Sequence, residues 1–149
     1  MIYILDTNIF LSMVRRPKFM DYIYDEFGKP DDVFITSVVV EGELKSFVRQ
    51  RKWGVRKIRD LNYLLSKAAI YPIKTQQIVE RYADIDTFSQ GKHETIRLGT
   101  SARNMGKNDL WIAATASVLN ATLLTIDKDF NHLNGVFFEV NLMDLNKII

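Results

Sequence analysis

The feature that most constrains this chain is an alternation of short apolar runs with longer stretches of helical periodicity. Five runs rich in β-branched or apolar residues predict strands, at residues 2–5, 33–35, 69–73, 122–126 and 136–140. Six stretches between them predict helices, at residues 9–14, 18–27, 38–50, 55–66, 76–88 and 109–119. Because this alternation is typical of parallel sheets with crossover helices, we predict an α/β fold with a central parallel β-sheet of about five strands flanked by helices.

The composition favours one compact domain, and we assign residues 1–149 to it. With 47% hydrophobic residues, the chain is apolar enough to bury a core. The absence of cysteine excludes a disulfide scaffold, a thiolate zinc site and a cysteine nucleophile. Asp6 interrupts the first apolar run, and the uncharged stretch 110–126 contains polar residues, so neither predicts a signal peptide or a membrane span. We therefore expect a cytoplasmic protein with no membrane partner.

Three aspartates stand where the chain leaves a predicted strand or enters a predicted helix. Asp6 and Asp127 follow predicted strands, and Asp109 begins the last predicted helix. Each has an ordinary structural explanation, because Asp is common in turns and in the first turn of a helix. The carboxyl ends of parallel strands nevertheless lie at one edge of a sheet, so the three carboxylates can converge there.

Glu43 stands out from the other acids because of the helix face that it occupies. In a helix that begins near Ser37, Glu43 shares the apolar face of Val40 and Phe47, whereas Glu41 lies on another face and can pair with Lys45. A carboxylate on an apolar face is costly unless a cation or hydrogen-bond donors meet it. Glu43 is therefore either a functional carboxylate with a partner or a side chain that reaches out to the rim.

Four segments resemble, in order and spacing, the conserved blocks of PIN-domain ribonucleases, and most of all the VapC toxins of bacterial toxin–antitoxin pairs. They are LDTNI at 5–9, TSVVVEGEL at 36–44, NDLWIAATA at 108–116 and TLLTIDKDF at 122–130. The resemblance implies that the catalytic and metal-binding acids are Asp6, Glu43, Asp109 and Asp127. It implies supporting polar roles for Thr7, Asn8, Asn108 and Thr125. Asp129 is an alternative to Asp127 as the fourth acid.

Four carboxylates without a cysteine form a hard, oxygen-rich site that suits Mg²⁺ or Mn²⁺ better than zinc. We interpret the two histidines, His93 and His132, as surface groups. A divalent cation among the carboxylates would offset their repulsion and support hydrolysis of a phosphodiester bond without a protein nucleophile. On this interpretation Asp6 and Asp109 are direct ligands, while Glu43 and Asp127 are either ligands through water or aids to the attacking water.

A basic segment follows Glu43 and contains no acidic residue up to residue 59. We predict that it binds single-stranded RNA through phosphate contacts and a base stacked on an exposed Trp53, with the candidate residues Lys45, Arg49, Arg51, Lys52, Trp53 and Arg56. The alternative is a solvated pair of helices in which Trp53 packs inward.

The resemblance implies an RNA substrate, with transfer RNA as one candidate, a homodimer and a cognate antitoxin protein that covers the acidic groove. Two other functions remain open. The chain could be a PIN-domain nuclease of RNA maturation or quality control, or a PIN-like module that binds RNA without cutting it. Retention of all four acids argues against the non-cleaving module.

Overall fold

The computed structural model of the chain describes residues 1–148, which form a three-layer α/β domain. The strands are β1 (Ile2–Leu5), β2 (Val33–Ser37), β3 (Ala69–Tyr71), β4 (Thr122–Thr125) and β5 (Val140–Leu142). The helices are α1 (Thr7–Arg15), α2 (Pro17–Phe27), α3 (Val38–Gln50), α4 (Val55–Ser66), α5 (Gln76–Ser89), α6 (Lys107–Val118) and α7 (Leu145–Ile148). A 3₁₀ helix, Lys128–Leu133, lies between β4 and β5.

The five strands form one sheet in the order β3-β2-β1-β4-β5, and every pair in it is parallel. This arrangement confirms the predicted α/β fold with a five-stranded parallel sheet flanked by helices. Because β1 is the central strand, the residue that follows it lies in the middle of the carboxyl edge. Residues that follow β2 and β4 lie at the same edge on either side.

The core is continuous across the sheet and its helices. Ile4 of β1 and Leu123 and Leu124 of β4 are fully buried. Helix α6 is apolar on nearly all sides, and its small residues Ala113 and Ala114 are fully buried as well. Small side chains let a helix approach neighbouring backbones closely, so α6 packs against α5, β2 and β4 at short range. The position of α6, and of the acid in its first turn, is therefore fixed by the core.

The predicted strand at residues 136–140 is wrong in its position, because the fifth strand is Val140–Leu142. The apolar, aromatic sequence before it is used in a tight turn instead. Gly135 has a φ of +74°, and the backbone N–H groups of Val136 and Phe137 donate to the carbonyl of Leu133. These donors are consequently unavailable to a strand ladder. Pairing with β4 begins only at Val140, opposite Leu123.

Other differences from the prediction are small and have local causes. Strand β3 ends at Tyr71, because Pro72 has no N–H to donate to a ladder. Helix α1 begins at Thr7, two residues earlier than predicted, because Asp6 caps it. Residues 90–106 form an irregular connection between α5 and α6. No helix among residues 1–148 is long and apolar enough to cross a membrane.

Candidate active site

Asp6 is held at the centre of the carboxyl edge by two hydrogen bonds. Its Oδ1 accepts the backbone N–H of Ile9 at 3.1 Å, which caps α1. Its Oδ2 accepts the hydroxyl of Thr125, the last residue of β4. The residue is only 4% exposed. Thr125 therefore aligns a carboxylate that follows β1 with the end of the neighbouring strand.

Two further aspartates lie at the same edge, one in the segment after β4 and one at the start of α6. Asp127 caps the 3₁₀ helix, because its Oδ1 accepts the backbone N–H of Asp129 at 2.9 Å. Its own N–H donates to Oγ1 of Thr125 at 3.0 Å. Asp109 lies in the first turn of α6. Carboxylate oxygens of Asp109, Asp127 and Asp129 all lie within 4.8 Å of one another. Asp6 is not a member of this close group.

Glu43 extends from α3 into the site, and its carboxylate has the hydrogen-bond donor that we expect for a carboxylate on an apolar helix face. Oγ1 of Thr7 donates to its Oε1 at 2.9 Å. Because Thr7 directly follows Asp6, this bond ties α3 to the start of α1. Glu41, in contrast, is 4.0 Å from Nζ of Lys45 on another face of α3, as predicted. The neutral threonine orients the Glu43 carboxylate without cancelling its charge.

The electrostatics of the site reflect crowding of like charges away from water. Burial raises the pKa of Asp6 to about 7, and the charges of Asp127 and Asp109 add to the rise. The bonds from Thr125 and Ile9 lower the same pKa, but by less. Burial raises the pKa of Asp109 to about 6, with further contributions from Asp127, Glu43 and Asp129. Near neutral pH the cluster therefore resists full ionisation.

We define the acid cluster as Asp6, Glu43, Asp109, Asp127 and Asp129. Within residues 1–148, no lysine, arginine or histidine forms an ion pair with any of them. The donor set is composed of carboxylate oxygens, with hydroxyl groups beside it. This chemistry fits a hard divalent cation such as Mg²⁺ or Mn²⁺ and does not fit a soft, thiolate-bound metal.

A groove of about 620 Å³ opens beside the cluster. Glu43 lies in its wall, and the exposed side chains of Asn8 and Asn108 line it as well. Sequence reasoning did not single out Ser46 and Gln50, which also line this groove and are joined by a 2.8 Å hydrogen bond. In the sequence, only their helical spacing from Glu43 connects these two residues with the site, and such spacing is too common to identify functional residues. The groove offers amide and hydroxyl groups close to the carboxylates.

The basic segment does not form one uniform surface. Its cations are exposed, but Lys45 is paired with Glu41, and the guanidinium of Arg51 lies over the ring of Phe47 at 5.4 Å. Trp53 is half-buried, with its edge on Phe47 at a centroid distance of 5.7 Å. The expectation of an exposed Trp53 is therefore wrong.

The cause of this packing is a turn after α3. Lys52 has a φ of +50°, and the N–H of Trp53 donates to the carbonyl of Val48. Both features return the chain towards α3 and place the indole on Phe47. The ammonium of Lys57 lies 5.3 Å from the indole centroid. The ring is thus part of a local aromatic and cationic cluster.

The interpretation of both histidines as surface groups is also wrong, since each is half-buried. Nδ1 of His93 accepts two backbone N–H groups, from Thr95 and Ile96, at 3.1 Å. His132 lies on the 3₁₀ helix, and burial lowers its pKa, with the Arg103 charge adding to the effect. Neither ring belongs to the group of carboxylates that could hold a cation.

Comparison with known proteins agrees with this architecture. The PIN domain family matches residues 3–136 of the chain. The chain therefore belongs to the PIN-domain family, as the sequence resemblance predicted. Within that class it is 32% identical over 139 residues to Ribonuclease VapC1 of Haemophilus influenzae strain R2866, a match that covers 91% of this chain and 95% of the relative.

Solved structures show the same fold. A chain in the 2.2 Å structure of VapBC-1 from nontypeable Haemophilus influenzae has a TM-score of 0.74 and 26% identity, covering 95% of this chain and 98% of that one. A chain in the crystal structure of VapBC2 from Rickettsia felis, bound to a DNA fragment from their promoter, has a TM-score of 0.77 and 23% identity. That match covers 97% of this chain and 100% of the other.

Proposed function

We propose that this protein is a divalent-metal-dependent endoribonuclease and the toxin of a VapBC-type toxin–antitoxin pair. The observation that carries the proposal is the acid cluster, in which carboxylates from separate segments meet without a compensating cation. The similarity to proteins named Ribonuclease VapC1 supports RNA as the substrate. The structural similarity to chains of VapBC assemblies supports an antitoxin protein as partner.

The ligands follow from the positions of the carboxylates. Asp6 and Asp109 are our candidates for direct ligands, because Asp6 is rigidly held and each of its hydrogen-bonded oxygens retains a lone pair. The short separations among Asp109, Asp127 and Asp129 make either of the last two a candidate for the fourth acid. A bound divalent cation would offset part of the negative charge of the cluster, polarise the scissile phosphate and lower the pKa of a water.

Glu43 is our candidate for the group that handles the proton of the attacking water. Thr7 fixes one of its oxygens, which leaves the other free to accept a proton. The water oxygen forms a bond to phosphorus as its proton passes to Glu43, and the bond from phosphorus to the leaving sugar oxygen breaks. The leaving oxygen takes up a proton from solvent. In this scheme no side chain forms a covalent intermediate.

The amide-lined groove beside Glu43 is our candidate for the path of the RNA strand near the cut. Asn8 and Asn108 offer both donors and acceptors, so they can contact the edges of unpaired bases. The exposed cations Arg49, Lys52 and Arg56 would contact phosphates further along the strand. Transfer RNA is one candidate substrate, and we expect the active form to be a homodimer.

The proposal is tested with purified protein freed of any inhibitor and incubated with RNA. We expect cleavage in Mg²⁺ or Mn²⁺ and none in chelator, because the carboxylates alone supply no activated water. Restoring the divalent cation after chelation should restore cleavage. Cleavage that persists in chelator would overturn the proposal.

A PIN-domain nuclease of RNA maturation is the second candidate, since it would use the same cluster. The two are distinguished by the neighbouring gene. A small adjacent reading frame whose product binds this protein and blocks its RNA cleavage supports the toxin. A nuclease that no such product inhibits would instead belong to RNA maturation or quality control.

A further inference from the structure

Ser89, the last residue of α5, is fully buried and contacts both segments that lead into the acid cluster. Its Oγ lies 2.7 Å from Nε2 of His132 on the 3₁₀ helix. The same hydroxyl lies 3.3 Å from Sδ of Met105, just before α6. Its backbone carbonyl accepts the N–H of Arg103 at 2.8 Å. One buried serine therefore joins the chain before α6 to the helix that follows Asp127.

His132 has a buried ring nitrogen whose free-energy cost is not explained by the packing of the ring. Its ring is stacked on Phe88, with centroids 6.2 Å apart and planes 3° from parallel. Its Nδ1 is buried and forms no hydrogen bond of normal geometry within residues 1–148, although the backbone of Asp129 lies close enough to the ring to raise the pKa of His132 against the effect of burial. A buried polar atom without a partner costs free energy, and a phenylalanine would stack on Phe88 without that cost. What the histidine adds is the hydrogen bond to Ser89.

The hydrogen bond between Ser89 and His132 is linked through the backbone to the carboxylates of Asp109, Asp127 and Asp129. A 3₁₀ helix has three residues per turn, so Asp129 and His132 lie one above the other on the same face. The N–H of Asp129 in turn donates to the carboxylate of Asp127. On the other side, Met105 stands two residues before α6, whose first turn contains Asp109. Ser89 and His132 thus connect the two halves of the close carboxylate group.

We propose that the Ser89–His132 hydrogen bond sets the spacing between Asp109 and the pair Asp127 and Asp129, and thereby the affinity of the site for a divalent cation. Ser89 and His132 are positioning residues, because they act through the carboxylates and not on substrate. This inference rests on the proposed function, in that it takes the acid cluster to be the cation site.

The decisive variant is His132→Phe, which keeps a ring against Phe88 and removes the hydrogen bond to Ser89 together with the buried Nδ1. Mn²⁺ binding is measured by the electron paramagnetic resonance signal of the free ion, with Asp109→Asn as the variant that locates binding in the cluster. We expect His132→Phe to weaken Mn²⁺ binding about tenfold, in the range of changes around metal ligands. Its melting temperature without metal should be no lower than that of the original protein.

Kinetics supply a second readout that a general structural defect would not reproduce. At an Mn²⁺ concentration that half-saturates the original protein, we expect the apparent kcat for RNA to fall in His132→Phe and to recover as Mn²⁺ is raised to saturation. KM for RNA should stay unchanged, since the RNA groove does not contact this pair. Ser89→Ala should weaken Mn²⁺ binding to the same extent. The double variant should be no worse than either single variant, because both remove one interaction.

The matched control is His93→Gln, at the other half-buried histidine of the chain. His93 is bonded to its own loop at Thr95 and Ile96 and is not linked to the 3₁₀ helix. We expect its Mn²⁺ affinity to stay unchanged.

Three outcomes would overturn the positioning role. They are unchanged Mn²⁺ affinity in His132→Phe, an equal loss in His93→Gln, or losses in the double variant that simply add. In each of these cases the cation site and the nuclease proposal would survive. Failure of the original protein to bind Mn²⁺ at all would overturn both proposals together.

Discussion

The acid cluster and the basic segment gather charge in opposite ways. The acids are spread from residue 6 to residue 129 in the sequence, yet the parallel sheet and the helices that follow its strands bring them to one edge. The seven cations of residues 44–59 are close together in the sequence, yet the turn after α3 disperses them over exposed faces. The parallel sheet brings together charged residues that are distant in the sequence, whereas helices and turns spread apart charged residues that are close in the sequence.

The two regions also differ in how their charge is compensated. In the cluster Asp6 is buried and Asp109 is partly buried, and within residues 1–148 no cation pairs with either, so the cost appears as the raised pKa values of these two residues. The basic segment is solvated, and Lys45, Arg51 and Lys57 already have partners in Glu41, Phe47 and Trp53. Charge that is held at a free-energy cost indicates function more strongly than charge that faces water.

The largest expected effect comes from removing single carboxylates. We expect each of four conservative variants to lower RNA cleavage by about a hundredfold or more, since metal-assisted stabilisation is worth several kcal/mol. The variants are Asp6→Asn, Glu43→Gln, Asp109→Asn and Asp127→Asn. Cleavage rates at saturating Mg²⁺ are the measurement, and a cooperative thermal unfolding transition in each variant is the check on folding.

Asp129→Asn sharpens this test, because both Asp127 and Asp129 have a carboxylate oxygen within 4.8 Å of one of Asp109. Asp127 also caps the 3₁₀ helix, so we expect its loss to be the more severe. An equally severe Asp129→Asn would make Asp129 the fourth acid. Glu41→Gln, on the other face of α3, should leave cleavage unchanged.

The next effect concerns the basic segment. Replacing four of its exposed cations together should weaken RNA binding and flatten its salt dependence, with each lost phosphate contact lowering the slope by about 0.7 for a single strand. The variant neutralises Arg49, Arg51, Lys52 and Arg56. Binding is measured in chelator at several salt concentrations, so that cleavage does not interfere. The rate constant of the chemical step at saturating RNA should survive.

A control with the same loss of net charge separates local contacts from overall attraction. Its four substitutions lie at exposed lysines outside the segment, namely Lys18, Lys74, Lys92 and Lys147. We expect its salt slope to change less than that of the segment variant. Equal slopes in the two variants would mean that the segment is only a solvated face and that RNA follows another path.

A smaller effect is expected on stability in the absence of metal. The pKa of Asp109 is about 6 in the folded chain against 3.8 for an ordinary Asp. The unfolded state therefore releases its proton at lower pH than the folded state, and this residue makes folding less favourable as pH rises from about 4 to about 6. Asp109→Asn removes that loss, so we expect a higher melting temperature at pH 8 in chelator.

The pH and metal dependence test the cause of that gain. The difference from the original protein should vanish below about pH 3, where Asp109 is protonated in both the folded and the unfolded state. It should shrink or reverse in saturating Mg²⁺, because the original protein gains stability from binding the cation. Asp21→Asn, on the exposed face of α2, should show neither effect. A gain of the same size in chelator and in Mg²⁺ would argue against a shared cation.

The sequence predicted most of the sheet because each strand is short, apolar and bounded by helical periodicity. It predicted Asp6, Asp109 and Asp127 at one edge because parallel strands leave little freedom there. It misplaced β5, since a run such as VFFEV has the composition of a strand and only the turn at Gly135 shows where its N–H groups are used. The contact between Ser89 and His132 spans 43 residues, and no local pattern indicates it.

The smallest expected effect on RNA binding comes from Trp53→Ala. Trp53 lies where the basic segment packs against α3, the helix that also contains Glu43 of the acid cluster. A base stacked on an exposed indole would lose about 1–3 kcal/mol of affinity on its removal. Trp53 instead packs on Phe47, on the same helix as Glu43, so we expect an affinity change below that range. Unfolding should become easier, by less than the about 3–5 kcal/mol that a fully buried Trp costs, because the ring is half-exposed.

Thermal unfolding and RNA affinity must be measured on the same preparation to separate these two outcomes. Trp53→Phe keeps a ring against Phe47 and should recover most of the lost stability with RNA affinity unchanged. A large loss of RNA affinity with normal stability would instead assign the indole to the RNA strand. The basic segment would then continue the RNA path from the groove beside Glu43. In that case the acidic site and the basic surface would form one RNA-binding region at Trp53, and they could not be contrasted as a concentrated site and a dispersed surface.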